Sequence, residues 1–140
     1  MSFTPIEIEY LRSQPIGRLA TSQPGGTLQN NPVGFRYNPE LGTIDITGYR
    51  MANSSKFRNV GDNQRVAFVV DDIISTKPWR VRCLEIRGVG EALDPATDPA
   101  AGSDDAAAII RIHPRRIISF GLEVPDLEPH RLVASKRDVS

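Results

Sequence analysis

Apolar and polar positions alternate every second residue over most of this chain, and helical spacing appears in only two short stretches. Thr4-Pro5-Ile6-Glu7 predicts a helix start. Thr4 caps, Pro5 suits the first helical position and Glu7 completes a capping box. Ile6, Tyr10 and Leu11 then share a face, and Pro15 ends the helix. Ile16–Ser22 reads as a strand, followed by a turn at Pro24-Gly25-Gly26. Leu28–Tyr37 is a second strand with Val33, Phe35 and Tyr37 on one face, and Pro32 within it predicts an edge or a bulge. After a turn at Asn38–Gly42, Thr43–Gly48 alternates with Ile44 and Ile46 inward and Thr43, Asp45 and Thr47 outward. A short helix is expected near residues 54–60, burying Phe57 and Val60 and closing at Gly61. Val66–Val70 is apolar on both faces, which predicts a central strand.

Arg80–Leu93 is a long strand whose apolar phase slips between Val81, Cys83 and Leu84, Ile86; with Gly88 and Gly90 nearby this predicts a bulge or sharp bend. Asp94–Asp105 reads as a surface loop, and Ile109–Ile112 and Ile117–Leu122 as two last strands parted by Pro114. Six or seven strands, two short helices and no strand–helix repeat predict a mostly β protein, an antiparallel barrel with helical accessories. The expected organisation is one domain over residues 1–124 and a polar tail over 125–140.

Charge changes little in this picture. Lys plus Arg and Asp plus Glu number 17 each, so nothing argues for nucleic acid as a partner and any anion site must be local. The one cysteine, Cys83, rules out an intrachain disulfide and is expected to pack as a small hydrophobe. Polar residues interrupt the first fifteen positions, no apolar run approaches a membrane span, and a cytoplasmic location is the expectation.

Three groups of residues could carry chemistry. The first is Ser54-Ser55-Lys56, with Arg50 before it and Arg58 and Asn59 just after. Hydroxyls, a lysine and a helix N-terminus meet there, which suits a phosphate. The same residues also read as an N-cap with solvated basic neighbours. The second is Gly17-Arg18-Leu19-Ala20-Thr21, small residues on a strand that could lie along a flat ring if its backbone is free, or simply a strand. The third is Trp79, the only tryptophan, suited to a pocket wall, the core or an interface. His113 and His130 lack metal-ligand spacing, so no metal is expected. Gly88-Val89-Gly90-Glu91 lacks the third glycine of a dinucleotide loop, and Asp71-Asp72 read as strand-end charges. No triad or carboxylate dyad is visible, the catalytic residues stay unassigned, and an enzyme of this sequence would draw its reactivity from a cofactor.

Taken in order, these motifs resemble the pyridoxamine 5′-phosphate oxidase-like superfamily of flavin and deazaflavin proteins. Ser54-Ser55-Lys56 and Asn63-Gln64-Arg65-Val66 match that family's Ser-Arg-Lys and Asn-Pro-Arg-Val at the same spacing. Gly17–Thr21, Pro32-Val33-Gly34-Phe35 and Leu84–Glu91 are similar to its first, second and long strands. The resemblance implies a split β-barrel that forms a homodimer with cofactors between subunits. Ser55 and Lys56 would hold the cofactor phosphate, and Arg58 and Asn59 would finish the anion site. Arg18, Leu19, Ala20 and Thr21 would run along the ring and linker, and Thr47, Gly48 and Tyr49 would contact the chain between ring and phosphate; Trp79, by its own place before a strand, is counted with the cofactor-binding residues. Ser55 stands where the family carries arginine, and the C-terminal Trp and Arg motif of the true pyridoxamine phosphate oxidases is absent. The Ile16–Thr21 start and the Ile112–Gly121 ending look more like the actinobacterial branch. That branch implies an oxidoreductase using reduced coenzyme F420 to pass hydride to an unsaturated or quinone-like small molecule. The alternatives are an FMN enzyme of the same fold, a carrier that binds cofactor without turnover, and, more distantly, a barrel that binds partners through its basic corner.

Overall fold

The computed structural model describes residues 2–96 and 107–140. The first helix, α1 (Pro5–Ser13), begins as expected: the Glu7 N–H donates to Thr4 Oγ1 and the Thr4 N–H to Glu7 Oε1. Seven strands follow: β1 (Ile16–Ser22), β2 (Leu28–Asn38), β3 (Thr43–Ile46), β4 (Arg65–Thr76), β5 (Trp79–Leu93), β6 (Ile109–Phe120) and β7 (Ser135–Asp138). A second helix, α2 (Ser55–Asn63), lies between β3 and β4. The sheet is antiparallel, in the order β3-β2-β1-β4-β5-β6-β7, and β3 also pairs with β6. That last pairing closes β1–β6 into a ring, the mostly β barrel that the alternation predicted, and leaves β7 on the outer edge of β6.

The interior is apolar. Leu19, Ile44, Ile46, Phe68, Val70, Leu84, Ile86, Ile110, Ile112 and Ile117 are all within one per cent of complete burial. Each takes the inward position of a period-two strand, and removal of this apolar area from water is the main stabilising term.

Several local expectations needed correction. Thr43 and Asp45 alternate with the inward isoleucines, yet both are buried rather than solvated. β3 is flanked on both edges, and side chains from the neighbouring strands cover its outer face. Gly61 does not close α2. The helix runs to Asn63, and Gln64 takes the left-handed conformation that ends it, with its N–H bonded to the Val60 carbonyl. Ile109–Ile112 and Ile117–Leu122 are not two strands but one continuous β6. Pro114 is tolerated because β3 flanks only residues 110–112 and β7 only residues 116–119, so the missing N–H falls between two pairings.

The bulge expected near Gly88 is present, but its extra residue is Arg115 on β6: Arg87 pairs with Arg116 and Gly88 with Pro114. The chains approach so closely there that a Cβ on residue 88 would strike the His113 carbonyl. Pro32 is explained similarly, since β3 flanks only residues 35–38 of β2 and the first half has a single neighbour, β1. The predicted loop at 94–105 lies largely outside the described residues.

The tail supplies β7. Its Arg137 donates from Nη1 to Glu7 Oε2 at 2.8 Å and from Nη2 to Glu7 Oε1, and Glu7 is 2% exposed. The capping residue of α1 therefore also anchors the C-terminal strand.

Candidate functional site

α2 begins at the corner singled out by the sequence. Ser54 is its N-cap: Ser54 Oγ accepts from the Phe57 N–H at 3.2 Å and donates to the Met51 carbonyl at 2.7 Å. Ser54 is thus occupied by the backbone, as the cap reading held. The N–H groups of Ser55 and Lys56, at the first two helical positions, have no intrahelical acceptor. The Lys56 side chain makes no hydrogen bond or ion pair among the described residues. Arg58 folds back, donating to the Asn53 carbonyl at 2.8 Å and to Ser55 Oγ at 3.2 Å. Ahead of this corner, Thr47, Gly48 and Tyr49 form an exposed turn, and Arg50 has a φ of 54° with its guanidinium 5.4 Å from the Tyr49 ring centre.

Asn59 does not face the corner. It is 5% exposed and turned inward, donating to Thr21 Oγ1 at 3.1 Å and to Gln29 Oε1 at 3.0 Å. Asn63 donates to the Ser22 carbonyl at 2.6 Å. These two asparagines tie α2 to the end of β1. They place Lys56 about one helical turn from that tie.

β1 differs from the expectation of a strand with a free backbone. It is paired on both edges, with β2 and with β4, so its amides are spent in the sheet. Its alternation also divides the predicted ring contacts. Leu19 and Thr21 point inward, 1% and 3% exposed. Arg18 and Ala20 stand on the outer face with the facing residues of β4. Contact with any ligand would therefore come from outward side chains.

That outer face is hollowed. A cavity of about 180 Å³ is lined by Ala20, Ser22, Leu28, Arg65 and Ala67, among others. A second of about 340 Å³ shares Ala20 and Ala67 and adds Arg18, Asn30, Val69 and Glu85. A third of about 510 Å³ shares Arg18 and Val69 and extends to Trp79, Val81, Cys83 and Phe120. Together they form a trough along β1 and β4. Ala20 and Ala67 are direct cross-strand partners, so the middle of the floor is low and flat. Ile16, Leu28, Ile73 and Trp79, between 47% and 79% exposed, stand on the same side of the sheet.

The acids near the third cavity are not simple strand-end charges. Arg18 Nη1 donates to Asp71 Oδ1 across the trough, with both side chains nearly half exposed. Asp72 takes a two-pronged pair from Arg82, at 2.9 and 2.7 Å, and a third bond from the Tyr10 hydroxyl at 2.8 Å. The Arg82 hydrogen bonds hold the Asp72 pKa below its ordinary value, while burial and Asp72 push that of Tyr10 up. Cys83 is half-buried; burial first, then Asp71 and Glu85, push its thiol up to about 11, which favours the protonated form. Ala67 and Val69 were not singled out by the sequence, and Asp71 was read only as a strand-end charge. The sign available was one small residue, Ala67, within an otherwise bulky strand.

No family model matches the chain. A curated relative does: the 5a,11a-dehydrotetracycline/5a,11a-dehydrooxytetracycline reductase of Streptomyces rimosus is 49% identical over 127 residues, covering 88% of this chain and 86% of that protein. Among solved structures, one described as an F420 reductase is 28% identical, with a TM-score of 0.54 over 76% of this chain and 91% of that one. A pyridoxamine 5′-phosphate oxidase-related, FMN-binding protein from Nostoc punctiforme superposes over the full length of both chains with a TM-score of 0.62, at 12% identity, a likeness of fold alone. The fold is thus a split β-barrel of the pyridoxamine 5′-phosphate oxidase-like kind, and the chain belongs to that superfamily. Within it, the chain belongs to the same family as the Streptomyces reductase.

Proposed function

We propose that this protein is a homodimeric oxidoreductase that uses reduced coenzyme F420 to deliver hydride to a carbon–carbon double bond of a flat, conjugated polycyclic ketone. The observation that carries the reading is the 49% identity, over nearly the whole chain, to an enzyme named for reducing dehydrotetracyclines. The likeness to an F420 reductase supports the deazaflavin. FMN is the alternative cofactor, favoured by the FMN-binding chain of the same fold.

The residues fit such a group. Lys56 and the N–H groups of Ser55 and Lys56 would hold its phosphate, with Arg58 and Arg50 adding local positive charge. Ser54 and Asn59 act behind them: Ser54 caps the helix, and Asn59 fixes it to β1. Ala20 and Ala67 would floor the ring site, with Arg18 beside them, while Thr47, Gly48 and Tyr49 stand between ring and phosphate. Bound, the reduced cofactor supplies a hydride. The protein's part is to hold the ring flat, exclude water and orient the acceptor. A second copy laid over the trough would cover the exposed Ile16 and Leu28 and roof its hollows, which supports the dimer. No described helix is long and apolar enough to cross a membrane; a cytoplasmic site of action is part of the proposal.

The test is a titration of the purified protein with F420 and with FMN, followed by stopped-flow oxidation of the reduced complex by a dehydrotetracycline. Tighter binding of F420 and a fast, acceptor-dependent return of the oxidised spectrum are expected. Tighter FMN binding would move the assignment to the flavin. A reduced complex that no acceptor discharges would indicate a carrier. Lys56→Ala should weaken cofactor binding by about 1.5–3 kcal/mol, the range for a hydrogen bond to a charged group. Unchanged affinity in that variant would reject the phosphate assignment.

A further inference from the structure

The cavity at the Trp79 end of the trough differs from the alanine-floored part in chemistry. Val69, Val81, Trp79 and Phe120 give it apolar walls, and it is the largest of the three hollows at about 510 Å³. Two guanidinium groups reach it, and they are committed to different degrees. Arg82 is spent: it holds Asp72 through two nitrogens and lies 4.8 Å from the Tyr10 ring centre. Arg18 bonds Asp71 through Nη1 only, and its Nε and Nη2 have no partner among the described residues. The Trp79 indole N–H is likewise without a partner among them. Arg18 also lines both this cavity and the neighbouring one over Ala20 and Ala67. An apolar slot with unspent donors at the boundary of a flat floor matches a planar hydrocarbon body that carries one acceptor oxygen.

We propose that the Trp79 cavity is the acceptor half-site, taking a flat, carbonyl-conjugated ring system whose oxygen accepts from the free edge of Arg18. This rests on the ring placement over Ala20 and Ala67 given above. It reassigns Trp79, and the free edge of Arg18, from the cofactor to the acceptor. The reaction gives Arg18 a reason to be there. As hydride from the reduced cofactor adds to the far carbon of a conjugated C=C, the π pair moves to the carbonyl oxygen. Arg18 donates to the enolate oxygen so formed, and water returns a proton to the neighbouring carbon. Because the Arg18–Asp71 pair is solvent-exposed, it holds the guanidinium only weakly, so turning its free edge to a ligand costs little.

The test is calorimetric binding to the intact, cofactor-free protein, with 2-acetonaphthone and 2-ethylnaphthalene as probes of equal shape with and without the oxygen. The ketone is expected to bind about tenfold more tightly, the worth of one charge-assisted hydrogen bond. Arg18→Gln should reduce that ratio to near one, and Trp79→Ala should weaken both probes. Lys56→Ala should leave both unchanged. Equal affinities in the unaltered protein, a ratio that survives Arg18→Gln, or no binding of either probe would overturn the proposal. Loss of cofactor affinity in Lys56→Ala bears only on the phosphate assignment, so the two readings fail separately.

Discussion

Two aspartate–arginine pairs in this barrel show what surroundings do to the same chemistry. Asp45 and Arg111 face each other across β3 and β6, at the seam that closes the ring. The Asp45 side chain is 4% exposed and accepts from Arg111 at 3.0 and 3.2 Å, Asn38 at 3.0 Å and Thr43 at 2.9 Å. Asp71 and Arg18 meet through one nitrogen on the open face, 48% and 44% exposed. The buried pair has every acceptor filled and no freedom to exchange, so its role is to specify the seam. The exposed pair is screened by water and contributes little to stability, which leaves Arg18 available for a ligand. One pair belongs to the fold, and the other borders the trough in which we propose that a ligand sits.

Removing one partner tests the contrast most severely. Asp45→Ala strands Arg111 at the seam, and a loss of about 3–5 kcal/mol is expected in urea unfolding. A loss below about 1 kcal/mol would put the seam pair on a level with a surface pair. Acid probes the same site without mutation. Burial works against the Asp45 carboxylate, but the hydrogen bonds from Arg111, Asn38 and Thr43 outweigh it and hold its pKa below the ordinary value. Asp72 is held down chiefly by Arg82. A group with a lowered folded pKa binds its proton more readily in the unfolded chain. Its stabilisation is therefore complete above about pH 4 and declines as pH falls through the lower folded value. Stability measured from pH 6 downward should follow that course, and Asp45→Asn should flatten it. An unaltered slope in that variant would place the acid sensitivity elsewhere.

Smaller effects belong to the periphery. Tyr10→Phe deletes the hydroxyl bond to Asp72 while keeping the ring under Arg82, and about 1–2 kcal/mol is expected from thermal unfolding. The smallest change in stability should come from Arg18→Gln, below about 1 kcal/mol. A larger loss there would mean that the open-face pair also holds the fold, and the division between seam and site would dissolve.

Strand positions were legible wherever one face is buried and the other wet. The bounds of β1 follow directly from its composition, and so do the helix start at Thr4 and the strand character of Val66–Val70. Asp45 was misplaced for a physical reason. Alternation tells which side of a strand a residue takes, but not whether that side is covered, and the cover here comes from Arg111, 66 residues away. Pro114 misled in the opposite sense, because the harm it does depends on whether a neighbouring strand needs its N–H. Among site residues, the Ser54–Lys56 corner is local and could be read from a cap and a helix start. Asn59 lies in the same short motif, yet its side chain turns to Thr21 and Gln29, partners that only folding brings near.

The sequence by itself determined the barrel class, the two helices with their N-caps, and the superfamily resemblance. The barrel class and the helix starts rest on alternation and on short-range spacing, which act within a few residues, while the superfamily rests on the resemblance carried by the ordered motifs. The tertiary structure decided that β1 is central and its backbone spent, that Ala20 meets Ala67 to floor a trough, and that Arg18 keeps donors free while Arg82 does not. It also decided that Arg137 reaches Glu7. Each of these depends on which distant strands become neighbours, and that follows from closing one sheet into a ring around a shared apolar core.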